Sequence, residues 1–474
     1  MFIGRDSELN ALTLLWRKRV SSFVTCRGRR RIGKSSLIEE FASRSKCRFI
    51  EIVGAAKRKG MTNADQLRHF SEQLVRQSNL PAALAPRSWY EAFLCLDSVI
   101  DDGERTVVLL DEVSWMGRYD PDFAATLKTV WDTKLKKHDR LILVVCGSVS
   151  TWIGENILEN SAFAGRLSLN LVLEELPIRD CIKFWGGRKN LSNRDVLDVL
   201  SVSGGVPKYL EEIDASVSAD ENIRRMCFVP GGSLVDEFDQ IFSEVFEESA
   251  TVKKQMLRAL SDRAMTATEL AQKLGVDRNG HMTRHLKELE TAGFVGRDGG
   301  LNPETGKAAK IEYFRIRDNY TRFYFHHLEP RREAIRSGSF AFLSLATLAG
   351  WQSILGLQFE NLVVGHYREF LPKLQECDRL ILSAAPYRKR GPSGQGVQID
   401  LLLQMRGAVY VVEVKRKEHI GLEVEREVSD KVKKLVVKGR KSIRKALVYD
   451  GEIDPTLAEN GYFDALIPFA EIMR

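Results

Sequence analysis

Three groups of residues have the types and spacing to do chemistry on phosphates. Gly28-Arg29-Arg30-Arg31-Ile32-Gly33-Lys34-Ser35, with Ser36 behind it, satisfies G-x-x-x-x-G-K-[ST]. In such a run the glycines let backbone N–H groups close on a polyphosphate, Lys34 reaches the β- and γ-phosphates, and the Ser35 hydroxyl holds Mg2+. The acidic pair Asp111-Glu112 ends the apolar run Thr106 to Leu110. Asp111 suits the magnesium shell, and Glu112 suits orienting or deprotonating an attacking water. The third group is Asp400 with Glu413-Val414-Lys415, to which Glu360 can add a carboxylate. Two carboxylates a few Å apart repel, so a divalent cation is their natural companion, and a lysine beside them suits phosphodiester hydrolysis. The same strand ends and loops offer Ser148 as a sensor of the γ-phosphate and Arg166 as an arginine finger, in cis or toward a neighbouring subunit.

Positioning the cradle requires a strand before it and a helix after it. Ser22 to Cys26 reads as that strand and Lys34 to Ser43 as that helix. Arg48 to Val53, Thr106 to Leu110 and Leu141 to Val145 are further apolar, β-branched runs of the kind buried on both faces of a parallel sheet. Residues 1–175 therefore read as a P-loop domain, and the helical stretch 176–249 as a lid. Residues 250–328 carry three amphipathic segments, Val252 to Leu260, Thr268 to Leu274 and His281 to Thr291, followed by a hairpin. That order describes a winged helix-turn-helix, with Thr266 or Thr268 capping the second helix. Its last helix presents His281, Arg284, His285 and Lys287, and its wing Lys307 and Lys310, to DNA. Residues 329–474 hold a helix at Phe359 to Phe370, a basic loop at Arg388-Lys389-Arg390, and adjacent strands Val397 to Gln404 and Ala408 to Lys415. The uncharged run Ser337 to Phe359 reads as a buried helical hairpin rather than a membrane span.

Composition bounds the rest. The 474 residues, 44% apolar and 28% charged, exclude a disordered, collagen-like or disulfide-stapled chain. The seven cysteines are scattered without zinc spacing, as expected of reduced thiols in the cytoplasm. The net charge of +7 comes mostly from residues after Arg331, where a basic stripe from Lys431 to Lys445 matches the footprint expected for a nucleic-acid backbone.

The opening Phe2-Ile3-Gly4-Arg5-Asp6-Ser7-Glu8-Leu9, the arginine-rich cradle, Leu109-Leu110-Asp111-Glu112, Cys146-Gly147-Ser148, Gly165-Arg166 and Gly204-Gly205-Val206-Pro207 together resemble the archaeal-type ATPase family, related to the AAA+ and STAND groups. The resemblance implies ATP and Mg2+ as cofactors, with Gly4 and Arg5 on one side of the nucleotide and Pro207 on the other. It also implies a possible homo-oligomer. Asp400, Glu413, Lys415 and Glu360 resemble the PD-(D/E)xK nuclease core, on a restriction-endonuclease-like α/β fold. The two resemblances imply a Mg2+-dependent ATPase coupled to a DNA-acting nuclease-like domain. The alternative is a nucleotide-gated switch or DNA-binding regulator whose nuclease-like site is inactive.

Overall fold

The structure is a computed structural model. It describes the chain except residues 1, 82, 148–149, 188–191, 247–248, 341, 343, 375–379, 390, 392–395, 440 and 474. Ser148, Arg390, Arg440 and Cys377 therefore lie outside the described residues. The chain forms two compact units, Met1–Glu175 and Leu176–Arg474.

The first unit is a five-stranded parallel sheet made of β1 (Ser22–Gly28), β2 (Arg48–Val53), β3 (Thr106–Asp111), β4 (Leu141–Gly147) and β5 (Leu167–Leu173). Their order is β2-β3-β4-β1-β5. β3 and β4 are buried along their whole length, which is why both are unbroken apolar runs. One face packs on a cluster with Trp89, Phe93 and Phe123, the other on a cluster with Leu12, Leu37 and Phe41. The consequence for chemistry is positional. β4 lies between β1 and β3, so the cradle after β1 and the acids after β3 sit at the same carboxyl edge, one strand apart.

In the second unit one apolar cluster runs from Leu176 to Met473, and a second, with Ile399, Val411 and Val424, packs between the carboxyl-terminal sheet and helix Glu423–Lys434. The first joins the helices after Pro177, the winged helix and the carboxyl-terminal sheet. The winged helix has helices Ala250–Ser261, Ala267–Leu274 and Gly280–Thr291, closed by the antiparallel hairpin β6 (Val295–Asp298) and β7 (Tyr313–Ile316). Thr266 caps the second helix in a reciprocal capping box with Glu269. Tyr320, Phe323 and Tyr324 are core residues, with the Tyr320 hydroxyl donating to the Leu234 carbonyl at 2.6 Å.

The last sheet comprises β8 (Ile381–Lys389), β9 (Val397–Met405), β10 (Ala408–Ile420), β11 (Ser442–Ile453) and β12 (Ala465–Pro468), in the order β12-β11-β10-β9-β8. β8–β9 and β9–β10 are antiparallel, whereas β10–β11 and β11–β12 are parallel. Helix Glu423–Lys434 forms the β10-to-β11 crossover.

Three expectations from the sequence are corrected here. Arg388 and Lys389 lie on edge strand β8, not in a loop. No helical hairpin spans the described part of Ser337 to Phe359. Gly338 and Gly350 take left-handed φ values of 77°, which end one short helix and start the next. The helix expected at Phe359 to Phe370 instead runs Trp351–Gly365, with a separate turn at Tyr367–Phe370. Among the described residues no helix is long and apolar enough to cross a membrane.

Candidate functional site

The cradle is built almost entirely from backbone. Gly28 has a φ of 154°, and a Cβ there would meet the Leu173 carbonyl oxygen at 2.5 Å, so the loop can pass β5 only without a side chain. Arg31 and Gly33 take left-handed φ values of 68° and 84°, turning the chain into helix Lys34–Ser45. Lys34 is buried and folds back over the loop, donating to the Gly28 and Arg29 carbonyls at 3.2 and 3.1 Å. The Ser35 hydroxyl donates to Asp111 Oδ2 at 2.5 Å. This contact brings together a hydroxyl and a carboxylate 76 residues apart, two hard oxygen donors of the kind Mg2+ takes. Glu112 follows with a φ of 48°, a strained conformation for a residue with a side chain. Arg5 is also left-handed and buried. Its guanidinium donates to the Ile32 carbonyl at 3.0 Å and the Glu174 carbonyl at 2.7 Å, bracing the cradle. Arg29 pairs with Glu175 at 3.6 Å, and Arg30 lies over the Trp115 ring.

Arg166 is placed differently from a finger serving its own cradle. It precedes β5, whose first residue Leu167 pairs with Phe23 while Leu173 pairs with Gly28. Arg166 thus sits at the amino edge of the sheet, roughly 20 Å along β1 from the phosphate loop. There it grips Asp132 with three hydrogen bonds of 2.8 to 3.0 Å, which hold the Asp132 carboxyl down at about 2. A role in cis is excluded by parallel-strand geometry. Pro207 begins the short helix Pro207–Leu210 in the second unit.

In the carboxyl-terminal sheet, the β9–β10 register pairs Val412 with Leu401, so the next step sets Asp400 opposite Glu413. Asp400 sits at a bulge. Between the pairs Tyr387–Ile399 and Ala385–Leu402, β9 has one residue more than β8, a device that re-aims side chains. Asp400 Oδ2 accepts the Val414 N–H at 2.9 Å. Glu413 is 1% exposed, and each of its oxygens holds an ammonium: Lys415 at 2.9 Å and Lys431 at 2.5 Å. Lys415 also binds Glu427 at 2.7 Å. Burial opposes its charge, but the acids outweigh it and push its pKa up. Burial, then Glu413, raises Asp400 to about 6, and burial with Asp400 raises Glu360 to about 7.

The three acids therefore sense one another. Among the described residues, however, no three His, Cys, Asp or Glu side chains are gathered as a metal-holding group. The lysines on Glu413 occupy that role. Asp400, Glu413 and Glu360 remain hard oxygen donors whose chemistry fits Mg2+, with Lys431 seated as the resident counter-cation.

Lys431 and Glu427 were missed as site residues. Their signal is the Val424, Val428 apolar spacing of helix Glu423–Lys434, which turns Glu427 and Lys431 toward the sheet. The basic stripe also disperses: Lys431 points inward, Arg444 pairs with Asp464 at 2.8 Å, and Lys445 lies over the Tyr462 ring. On helix Gly280–Thr291, His281, Arg284 and Lys287 are exposed, while His285 is half-buried beside Glu288. The wing docks on the sheet. The Leu301 N–H donates to Ser383 Oγ at 3.0 Å and the Lys438 N–H to the Pro303 carbonyl at 2.7 Å. Lys307 and Lys310 stay exposed.

The parallel sheet, the cradle and the Ser35–Asp111 pair define a P-loop nucleoside-triphosphatase fold in the first unit. Residues 2–213 match the family described as an ATPase domain predominantly from Archaea, and residues 254–296 match a helix-turn-helix domain. The chain thus carries an archaeal-type P-loop ATPase domain and a helix-turn-helix domain. It is 25% identical over 422 residues to an uncharacterized protein of Methanocaldococcus jannaschii, covering 88% of each chain. Its fold is similar to that of the Walker-type ATPase of Pyrococcus abyssi, at 16% identity and a TM-score of 0.50, over 68% of this chain and 96% of that one. The Aeropyrum pernix ORC2 protein, solved as ADPNP and ADP complexes, aligns at 16% identity and a TM-score of 0.42, over 71% and 95% of the two chains.

Proposed function

We propose that the chain is a cytoplasmic Mg2+-dependent ATPase whose nucleotide cycle gates a metal-dependent nuclease site acting on DNA. In the first unit, Lys34 neutralises charge on the transferred phosphoryl group, Ser35 and Asp111 hold the magnesium shell, and Glu112 orients water. Gly4 and Arg5 border the nucleotide, and Arg166 acts on a neighbouring subunit. In the second unit, Asp400, Glu413 and Glu360 hold Mg2+, which supplies Lewis acidity at the scissile phosphate. Lys415 remains an ammonium, because two acids hold its proton. It therefore stabilises charge developing on phosphate oxygen rather than removing a proton from water. The exposed face of Gly280–Thr291 grips DNA.

The observation that carries the coupling is helix Asn193–Ser203. It lies within the stretch matched by the ATPase family and leads into Gly204-Gly205-Val206-Pro207. Yet it packs on the acidic site's own supports. Leu200 O accepts from Asn319, which also donates to the Gln358 carbonyl on the Glu360 helix. Asp198 pairs with Arg416, the residue after Lys415, and burial raises the Asp198 carboxyl to about 6. A shift of this helix is thus transmitted to the strand that bears Glu413 and Lys415.

The test is metal-dependent cleavage of DNA with ATP or ADP present, for wild type, Lys34→Ala, Asp400→Ala and Glu413→Ala. Cleavage lost in the acid variants and changed by nucleotide supports the reading. Nucleotide-dependent rearrangement without any cutting favours the switch, a reading that the two lysines on Glu413 also suit.

A further inference from the structure

A cavity of about 690 Å3 opens between the winged helix, helix Trp351–Gly365 and strands β8 and β9. Glu360 and Asp400 line it, so it leads to the acidic site. The cavity also carries arginines that come from elsewhere in the chain. Arg315 belongs to wing strand β7, Arg322 to the helix after it, Arg388 to β8, and Arg263 lies on the rim.

The arginines of this cavity are unequally paired. Arg315 and Arg388 share one buried carboxylate, Asp298, at 2.7 and 3.0 Å. Arg322 is 4% exposed, and its hydrogen bonds go to neutral acceptors, Gln358 Oε1 and the Ile316 carbonyl, both at 2.9 Å. Among the described residues its buried Nε has no hydrogen-bond partner. Glu360 acts on Arg322 through space, Asp400 lines the same cavity, and Glu269 pairs with Arg263 at 3.2 Å, so the acids offset the arginines. What is left unsatisfied is the buried Arg322 Nε–H, a donor that an anionic oxygen complements. The Arg388 guanidinium also lies over the Tyr313 ring, 5.5 Å from its centre, a flat surface of the kind on which a base stacks.

We propose that this cavity binds one nucleic-acid strand, with arginines of the winged helix and β8 holding its phosphates while the strand passes over Asp400 and Glu360. The volume lies in the range that encloses a ligand of roughly one or two nucleotides, and a duplex is too wide for it. Free single strands, overhangs and flaps are therefore the substrate class, and the winged helix takes part in the acidic cleft as well as in any duplex contact. The consequence for cutting rests on the nuclease reading above, whereas the binding does not.

The experiment measures anisotropy of labelled oligothymidylate and oligouridylate with the full chain in EDTA, where nothing is cut, with a blunt hairpin as competitor. Both single strands should bind, and the hairpin should compete about tenfold more weakly. Tight binding of just one of the two also supports the cavity, and oligodeoxyuridylate then separates the sugar from the thymine methyl as the cause. Arg388→Ala and Arg263→Glu should each weaken binding about tenfold, while Lys59→Glu, a charge reversal on the other unit, should not. If Arg388→Ala melts early, exposed Arg263 decides the matter alone. Equal competition by the blunt hairpin, or unchanged affinity in Arg263→Glu, overturns the proposal. Failure of Mg2+-dependent cutting with binding intact overturns the nuclease reading alone.

Discussion

The phosphate cradle and the acidic cleft, for which we propose phosphate chemistry as well, are built on opposite principles. The cradle is eight consecutive residues whose work is done by backbone N–H groups and left-handed turns at Arg31 and Gly33. The cleft gathers side chains from β9, β10 and two helices, and it balances its own charge with Lys415 and Lys431. A backbone site tolerates little change in the residues that shape it, because φ and close approach leave no room. A side-chain site can be retuned by one substitution on a remote helix. The difference teaches that ATP binding is set by local chain geometry, whereas the activity proposed for the cleft depends on which cation, lysine or metal, sits on Glu413.

The comparison can be broken most directly at the cradle. Lys34→Ala should reduce ATP turnover about 100-fold or more in a coupled phosphate-release assay, since a positioned charge on the transferred group is lost. Next, Glu413→Gln removes the shared partner of two lysines, one of them 20% and the other 22% exposed. Chemical denaturation should show the second unit destabilised by about 2 kcal/mol, with the first unit unaffected. Lys431→Ala should do the reverse at the cleft. Freed of its resident ammonium, the site should bind Mg2+ about tenfold more tightly by calorimetry, a change no cradle residue would produce.

A smaller effect is expected with pH. Burial and Asp400 raise Glu360 to about 7, so folding favours its protonated form. That stabilisation is complete below the ordinary carboxylate range and is lost as pH rises through about 7. Wild type should therefore lose more melting temperature than Glu360→Gln between about pH 5 and pH 8. Least of all, Arg166→Ala should leave turnover of the dilute chain unchanged, because its guanidinium lies at the wrong edge of the sheet. Turnover that falls only at high protein concentration would identify a neighbour as its target.

Legibility followed the same division. Strands β1 to β4 and the three winged-helix helices were readable because period and apolar continuity are local properties. The face-sharing of Glu413 and Lys415 was readable because strand side chains alternate. The bulge that re-aims Asp400 was not, since a bulge belongs to a pair of strands and not to one. β8 read as a loop because Arg388 and Lys389 look solvated, yet Arg388 is satisfied by Asp298, 90 residues away. The basic stripe looked like one surface because neighbouring positions were counted together, although Lys431 turns inward to an acid on β10.

What could be known from the order of residues was where a triphosphate is gripped, that a helix-turn-helix follows, and which acids and which lysine share a strand pair. Spacing alone imposes these, through strand alternation, helical period and the φ demands of a glycine loop. Folding in three dimensions settled which charges meet. It put Lys431 on Glu413, Arg166 out of reach of its own cradle, and arginines of the winged helix and β8 in one cavity with Glu360. Those outcomes depend on packing between distant segments, where a carboxylate takes whichever cation the fold carries within a few Å.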